Sequence, residues 1–143
     1  MWRIWDDRRP YCLFLMLNPS IADENVLDPT VTRCVDFARR WGFGGLYVAN
    51  LFALTSTDPE ALYRVPDPVG PDNNLAILEM ARNAGMVVCA WGNHGALKER
   101  REAVLNMLRA AGIKLNYLRM NATGEPTHPL YLPGDLVPVP WEV

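Results

Sequence analysis

The sequence has little from which a metal site or a disulfide framework could be built, with three cysteines and two histidines in 143 residues. The cysteines, Cys12, Cys34 and Cys89, lie far apart, and each sits in an apolar stretch. An odd number of cysteines at such wide spacing matches neither a disulfide framework nor a zinc or iron–sulfur motif. We therefore expect buried, reduced thiols, no metal and no other cofactor.

Membrane and export signals are also missing. No apolar run approaches the roughly 20 residues that cross a bilayer. Residues 1–9 do not form a signal peptide, because charged residues interrupt any apolar core. The length fits one domain over residues 1–143, and a composition of 50% hydrophobic and 21% charged residues suits a folded, soluble protein. These features predict a single cytoplasmic domain.

Positive charge is not in excess, since the formal net charge is −2. The molecule therefore has no overall basic field to draw it onto nucleic acid, which disfavours a protein that coats DNA. An enzyme with one local basic rim is still compatible with this charge. Four basic residues are candidates for such a rim, although solvated helix faces explain them equally well: Arg33, Arg40, Lys98 and Arg101.

Three common catalytic or nucleotide-binding motifs are absent from the sequence. Without Gly-x-x-x-x-Gly-Lys-Ser/Thr, a P-loop nucleotide hydrolase is disfavoured. Without Gly-x-Gly-x-x-Gly after the first strand, a dinucleotide oxidoreductase is disfavoured too. No serine or cysteine lies on a recognisable nucleophile elbow.

The chain instead shows a regular alternation of strand-like and helix-like segments. The predicted strands are residues 11–17, 46–51, 86–91 and 114–120, and the first three are apolar runs typical of strands covered on both faces. Helices are predicted over residues 30–41, from Asn73 or Asn74 to 84, and over 97–111. The prolines of residues 58–71 predict an irregular loop, and the proline-containing tail predicts extended chain over the surface.

Alternating strands and helices imply right-handed crossover connections and a parallel sheet between helix layers. The predicted fold is a three-layer α/β/α sandwich with a four-stranded parallel sheet.

Polar residues follow every predicted strand. Asn18, Pro19 and Ser20 follow the first, Asn50 ends the second, residues 92–95 follow the third, and a loop containing His128 follows the fourth. Taken singly, these are explained by a turn, a strand-end hydrogen bond, a helix cap and an exposed histidine. Ligands of parallel sheets bind at the carboxyl ends of the strands. Taken together, the polar residues that follow the four strands therefore predict a ligand site. Amides, a hydroxyl and imidazoles can read a nucleobase edge, hold a water and stabilise a developing anion.

Four motifs run through nearly the whole chain: Met-Leu-Asn-Pro-Ser at 16–20, Asp-Pro-Thr at 28–30, Asn-Leu-Phe-Ala-Leu at 50–54 and His-Pro-Leu-Tyr-Leu at 128–132. In these the chain resembles an uncharacterised bacterial and phage family. The order of its polar loops also resembles that of the uracil-DNA glycosylase superfamily, whose sheet carries a water-positioning loop, an asparagine, a Trp-Gly turn and a His-Pro loop.

The second resemblance implies a hydrolase of an N-glycosidic bond, acting on a base in DNA or on a modified nucleotide. It implies that Asn18 holds the attacking water, that Asn50 binds the Watson–Crick edge of a pyrimidine and that His128 donates to the developing oxyanion. It also implies that Leu130 or Tyr131 fills the gap left by an extruded nucleotide. The other residues expected to contact substrate are Pro19, Ser20, Phe52, Trp91, Gly92, Asn93 and His94.

Three features differ from the better-known members of that superfamily. The amide of Asn18 cannot act as a general base. No aromatic residue lies between Ser20 and Phe37, so stacking on a base would fall to Phe52, Tyr131 or another ring. His128-Pro129 is followed by Leu130-Tyr131 rather than Ser-Pro. A smaller substrate than DNA, such as a free modified nucleotide, fits these differences.

Two further hypotheses come from different classes of protein. One is a non-catalytic sensor of a nucleotide or nucleic acid on the same scaffold, which the amide at position 18 and the acidic net charge favour. The other is a domain that only docks protein partners. The position of Asn18, Asn50 and His128 relative to one cleft discriminates the site hypotheses from the docking domain.

Overall fold

A computed structural model describes residues 1–17, 29–52, 64, 69–70 and 72–142, without the side chains of 96–98 and 131. Its strands are β1 (Trp2–Ile4), β2 (Tyr11–Met16), β3 (Gly45–Asn50), β4 (Met86–Cys89), β5 (Asn116–Tyr117) and β6 (Val139–Pro140). The α-helices of the described ranges are α1 (Pro29–Arg40), α2 (Asn73–Asn83) and α3 (Arg100–Ala110). Two 3₁₀ helices span Asn93–Glu99 and Pro129–Tyr131.

The strands form one six-stranded sheet in the order β1-β3-β2-β4-β5-β6. The four predicted strands are its interior, and β3, β2, β4 and β5 pair in parallel as expected. The prediction of a four-stranded parallel sheet is nevertheless wrong, because β1 and β6 add antiparallel edges. Both edges are too short to show a hydrophobic period, and β6 lies within the proline-containing tail that the sequence predicts as surface chain.

Strict alternation along the central strands divides the core into two layers. Cys12, Phe14 and Met16 of β2 face α1 and pack with its buried Phe37. The neighbouring Leu13 and Leu15 face α2 and α3 and belong to the second apolar cluster. Helices therefore lie on both faces of the sheet, and the predicted α/β class is confirmed.

The first helix spans Pro29–Arg40, close to the predicted range of 30–41. Cys34, Phe37 and Ala38 are its buried residues, and Arg39 and Arg40 lie in its last turn, where cations favour the helix dipole. The helix ends as the glycine at position 42 predicts. Gly42 has φ +87°. Its N–H donates to the carbonyl oxygen of Arg39, and the N–H of Phe43 donates to the carbonyl oxygen of Ala38. This is the Schellman pattern that glycine favours.

The fourth predicted strand and the third predicted helix differ most from the structure. Only Asn116 and Tyr117 form β5, because the following residues turn away into a tight loop. The helix predicted from residue 97 begins at Arg100, and a 3₁₀ segment over 93–99 precedes it. Glu99, with φ 58°, separates the two elements.

The expected state of the cysteines is confirmed. Cys12, Cys34 and Cys89 are free and buried. Desolvation raises the pKa of the Cys12 and Cys89 thiols far above the ordinary thiol value. Every helix in the described ranges is too short or too polar to cross a bilayer.

Candidate functional site at the carboxyl edge of the sheet

The strand order fixes where a crevice can form. The chain goes from β2 to β3 on one side and then crosses to β4 on the other, so the strand order reverses between β2 and β4. Such a switch point is where doubly wound sheets bind ligands, outside the carboxyl ends of the strands. The polar segments after β3, β4 and β5 meet this edge.

Asn50 is the last residue of β3 and lies in register with Met16 of β2. The alternation that turns Leu46 and Val48 toward α1 places Asn50 on the same face, and its side chain is half-buried. The parallel pairing of β2 with β3 continues one residue further, since the N–H of Leu51 donates to the carbonyl oxygen of Met16 at 2.9 Å. Asn50 therefore stands beside the end of β2, at the carboxyl edge of the sheet.

His128 lies on the segment that leads from the end of β4 toward α1. Pro126 accepts from Gly92 N–H at 2.9 Å, and Leu132, four residues beyond His128, is buried in the α1-facing cluster. The Nδ1 atom of His128 accepts from Leu130 N–H at 3.2 Å. An Nδ1 that accepts carries no proton, so the neutral ring holds its proton on Nε2.

A network of side chains joins the loop after β4 to the loop after β5. Oδ1 of Asn93 accepts from Asn121 Nδ2 at 2.8 Å and from Thr123 Oγ1 at 2.7 Å. Asn121 Oδ1 accepts from Thr127 Oγ1 at 2.6 Å, one residue before His128. The network fixes the Asn93 amide and braces the segment that carries His128. His94 follows Asn93 in the 3₁₀ helix and is half-buried.

Glu125 is a buried carboxylate at the same edge, 3% exposed. Its Oε2 accepts from Trp91 Nε1 at 3.0 Å and lies 3.3 Å from Arg101 Nε. Burial raises the pKa of Glu125, while the Trp91 hydrogen bond and the Arg101 charge partly offset that shift. This carboxylate connects the loop after β5 to both β4 and α3.

Two residues predicted to contact substrate lie in the core. Phe52 is fully buried, and Trp91 is 1% exposed and packs against Trp141, with ring centroids 5.8 Å apart. Both belong to the cluster under α2 and α3, opposite the α1 face of Asn50. Their rings offer almost no surface to a substrate, and the stacking expected of Phe52 has no open face.

The α1 face carries an open groove of about 460 Å³. Its lining residues are Pro29, Thr32, Arg33, Asp36 and Leu130. Leu130 is 38% exposed and stands at the rim, two residues from His128. Among the described side chains of the predicted basic rim, Arg33 lines this groove. Arg40 donates to the Gly134 carbonyl, and Arg101 is paired with two glutamates.

Some of the predicted site lies outside the described residues: Asn18, Pro19 and Ser20, together with the side chains of Lys98 and Tyr131. Among the described residues, no group of three or more histidine, cysteine, aspartate or glutamate side chains is arranged to hold a metal ion.

The structure adds four edge residues that sequence reasoning did not select: Asn73, Arg100, Asn121 and Glu125. Arg100 gave no signal, because it lies in a run of charged residues that reads as an exposed helix face. Glu125 stands between Gly124 and Pro126, where an exposed turn is the ordinary expectation. The signal that the sequence did carry for Glu125 was a carboxylate in a turn next to the predicted site.

The fold and this edge define an α/β protein with a doubly wound parallel core and a polar switch point. The model of one family, described as "Protein of unknown function (DUF1643)", matches residues 1–130. The chain therefore belongs to this family, which confirms the predicted membership of an uncharacterised family. No curated protein and no solved structure matches the chain. The resemblance to the uracil-DNA glycosylase superfamily gains no support from these comparisons.

Proposed function

We propose that the chain hydrolyses an N-glycosidic bond, in a base-containing DNA strand or in a modified nucleotide. The observation that carries the proposal is the orientation of His128. The N–H of Leu130 donates to Nδ1 at 3.2 Å, so the neutral ring carries its proton on Nε2. A donor of this kind suits the oxyanion that develops on a departing base.

The position of Asn50 agrees with a role in base recognition. It is the last residue of β3, on the α1 face, and is half-buried beside the end of β2. An amide presents one donor and one acceptor in a plane, the pattern that matches a pyrimidine's Watson–Crick edge. On this proposal, Leu130 at the groove rim contacts the neighbouring part of the substrate.

The chemistry divides among three side chains. Asn18 positions the water, Asn50 orients the base, and His128 Nε2–H donates to the base carbonyl as the glycosidic bond breaks. One well-placed donor to a developing anion contributes about 3 kcal/mol, or roughly two orders of magnitude in rate. The water oxygen bonds to C1′ as the C1′–N bond breaks, and the base that departs as an anion takes up the proton that the water loses. Because an amide cannot take up that proton, the reaction depends mainly on stabilising the leaving base.

A single-turnover assay tests this proposal. The substrates are oligonucleotides with uracil, mismatched or modified bases, and the corresponding nucleotides, at enzyme excess. His128→Ala is expected to lower the single-turnover rate about 100-fold, and Asn50→Ala to weaken substrate binding. Asn83→Ala is the matched control, because the Asn83 amide donates to the Glu79 carbonyl within the last turn of α2.

The proposal fails if no substrate is cleaved. It also fails if cleavage persists unchanged in folded His128→Ala and Asn50→Ala proteins. Thermal unfolding of each variant separates a loss of chemistry from a loss of fold.

A non-catalytic nucleotide or nucleic-acid sensor is the second candidate. Glu125, the carboxylate next to the His128 segment, is buried, accepts a hydrogen bond from Trp91 and forms an ion pair with Arg101, so it is not placed to activate a water. Saturable binding of nucleotides without turnover, lost in Asn50→Ala, favours the sensor.

A further inference from the structure

A buried arginine marks a second polar position at the carboxyl edge. Arg100, the first residue of α3, is 4% exposed. Its Nε donates to the carbonyl oxygen of Leu51 at 2.6 Å, and Asn73 Nδ2 donates to the same oxygen at 3.1 Å. The guanidinium is thereby held where the chain leaves β3, on the α2 and α3 face of the sheet.

The described residues satisfy this guanidinium only in part. Nη2 of Arg100 is buried and has no acceptor within the described ranges. Burial lowers the pKa of Arg100, and within those ranges no carboxylate opposes that shift. A buried cation with an open donor is costly unless an anion meets it, so an acceptor is expected here.

The helix ends around Arg100 favour an anion as that acceptor. Helices α2 and α3 follow parallel strands and run back along the sheet, so both begin at the carboxyl edge, where the positive end of the helix dipole lies. Neither helix has a side-chain cap, since Asp72 and Glu99 make no capping hydrogen bond. The first turns of both helices and the Arg100 side chain therefore lie at the same edge of the sheet.

We propose that Arg100 and the first turns of α2 and α3 bind a phosphate group, carried by a nucleotide or by a nucleic-acid strand. A guanidinium and helix N–H groups are the donors that tetrahedral oxyanions take up in proteins. The inference goes beyond the base-site proposal, because it concerns a different part of the ligand and stands if no base is recognised.

Thermal unfolding of the full chain in inorganic phosphate or chloride, at equal ionic strength, tests the inference. The melting temperature of the wild type is expected to rise with phosphate and to approach the logarithmic dependence of a single site. Arg100→Met is expected to weaken the apparent phosphate affinity about tenfold or more. Arg109→Met is the matched control, because Arg109 lies on the same helix and also has a buried Nη2 without an acceptor in the described ranges.

Nuclear magnetic resonance of arginine-labelled wild-type protein gives a readout that does not depend on the folding of Arg100→Met. The Nε–H signal of Arg100, assigned with Arg100→Lys, is expected to shift with phosphate. No shift, or an unchanged phosphate response in folded Arg100→Met, overturns the inference.

Two further arms identify the source of the phosphate. In the first, the melting temperature is measured with a nucleoside 5′-monophosphate and with an equimolar mixture of the nucleoside and free phosphate. A larger rise with the monophosphate indicates that the phosphate belongs to a nucleotide. Stronger protection by a short single strand, declining steeply with salt, indicates nucleic acid. In Asn50→Ala the melting temperature is still expected to rise with phosphate. A loss of base binding in that variant therefore tests the base site and leaves the phosphate site untouched.

Discussion

Replacing Glu125 by alanine is expected to destabilise the protein by about 2–4 kcal/mol. The larger share comes from Trp91, whose buried Nε1–H loses its acceptor at 3.0 Å, which costs about 1–3 kcal/mol. Loss of the buried methylene groups adds about 1 kcal/mol. For a chain of this length the midpoint is expected to fall by roughly 6–12 °C.

Glutamine at position 125 separates the hydrogen bond from the charge. Its amide oxygen still accepts from Trp91, so Glu125→Gln should cost about 1 kcal/mol or less at neutral pH. Glu102→Gln is the matched control, because Glu102 also pairs with Arg101 but is 61% exposed. Thermal and denaturant unfolding, followed by the tryptophan fluorescence, measure all three variants. The account is refuted if Glu125→Ala is as stable as the wild type, or if Glu125→Ala and Glu125→Gln lose the same free energy of unfolding.

The pH dependence of the same pair has a definite sign. Because burial raises the pKa of Glu125 above its ordinary value of 4.5, the folded state binds more protons than the unfolded state in the interval between the two values. Wild-type stability therefore falls as pH rises through that interval, and the glutamine variant lacks this loss. The stability advantage of wild type over Glu125→Gln should shrink with rising pH. A growing advantage would show that the ion pair with Arg101 outweighs burial.

Three other substitutions or treatments test the packing. Gly95→Ala should destabilise by about 1–3 kcal/mol, since a Cβ there would lie 2.0 Å from Trp91 Cδ1; an unchanged midpoint would contradict the placement of this ring. Leu108→Ala should cost about 2–5 kcal/mol in denaturant unfolding because Leu108 is fully buried, and a cost below 1 kcal/mol would count against the α3 packing. Cys12 and Cys89 should react with an aromatic disulfide reagent only as the protein unfolds, and rapid labelling of either in native buffer would contradict their burial.

The interior of the fold was accessible from sequence because its signals are local. Residues 11–16 form a strand as the apolar run predicts, and the spacing of Cys34 and Ala38 predicts part of the buried face of α1, which also includes Phe37. The edge strands were not accessible, since β1 and β6 are held by pairing with partners distant in sequence. No local pattern reports such pairing.

The candidate site divides in the same way. The carboxyl-edge position of Asn50 follows from strand order, which sequence alternation constrains. The burial of Trp91 and Phe52 could not be predicted from the sequence, because an aromatic residue at the end of a strand can pack in the core or contact a ligand equally well. Arg100 was hidden because its burial depends on the Leu51 carbonyl, 49 positions earlier in the chain.

The most direct test of the proposed base site is long-range ¹H–¹⁵N spectroscopy of His128, assigned with His128→Gln. We predict an unprotonated Nδ1 and a protonated Nε2, as the hydrogen bond from Leu130 requires. Addition of the cleaved or bound base should move the Nε2 signal in wild type and leave it in place in Asn50→Ala. A proton on Nδ1, or an Nε2 signal that no base or nucleotide moves, would contradict the account.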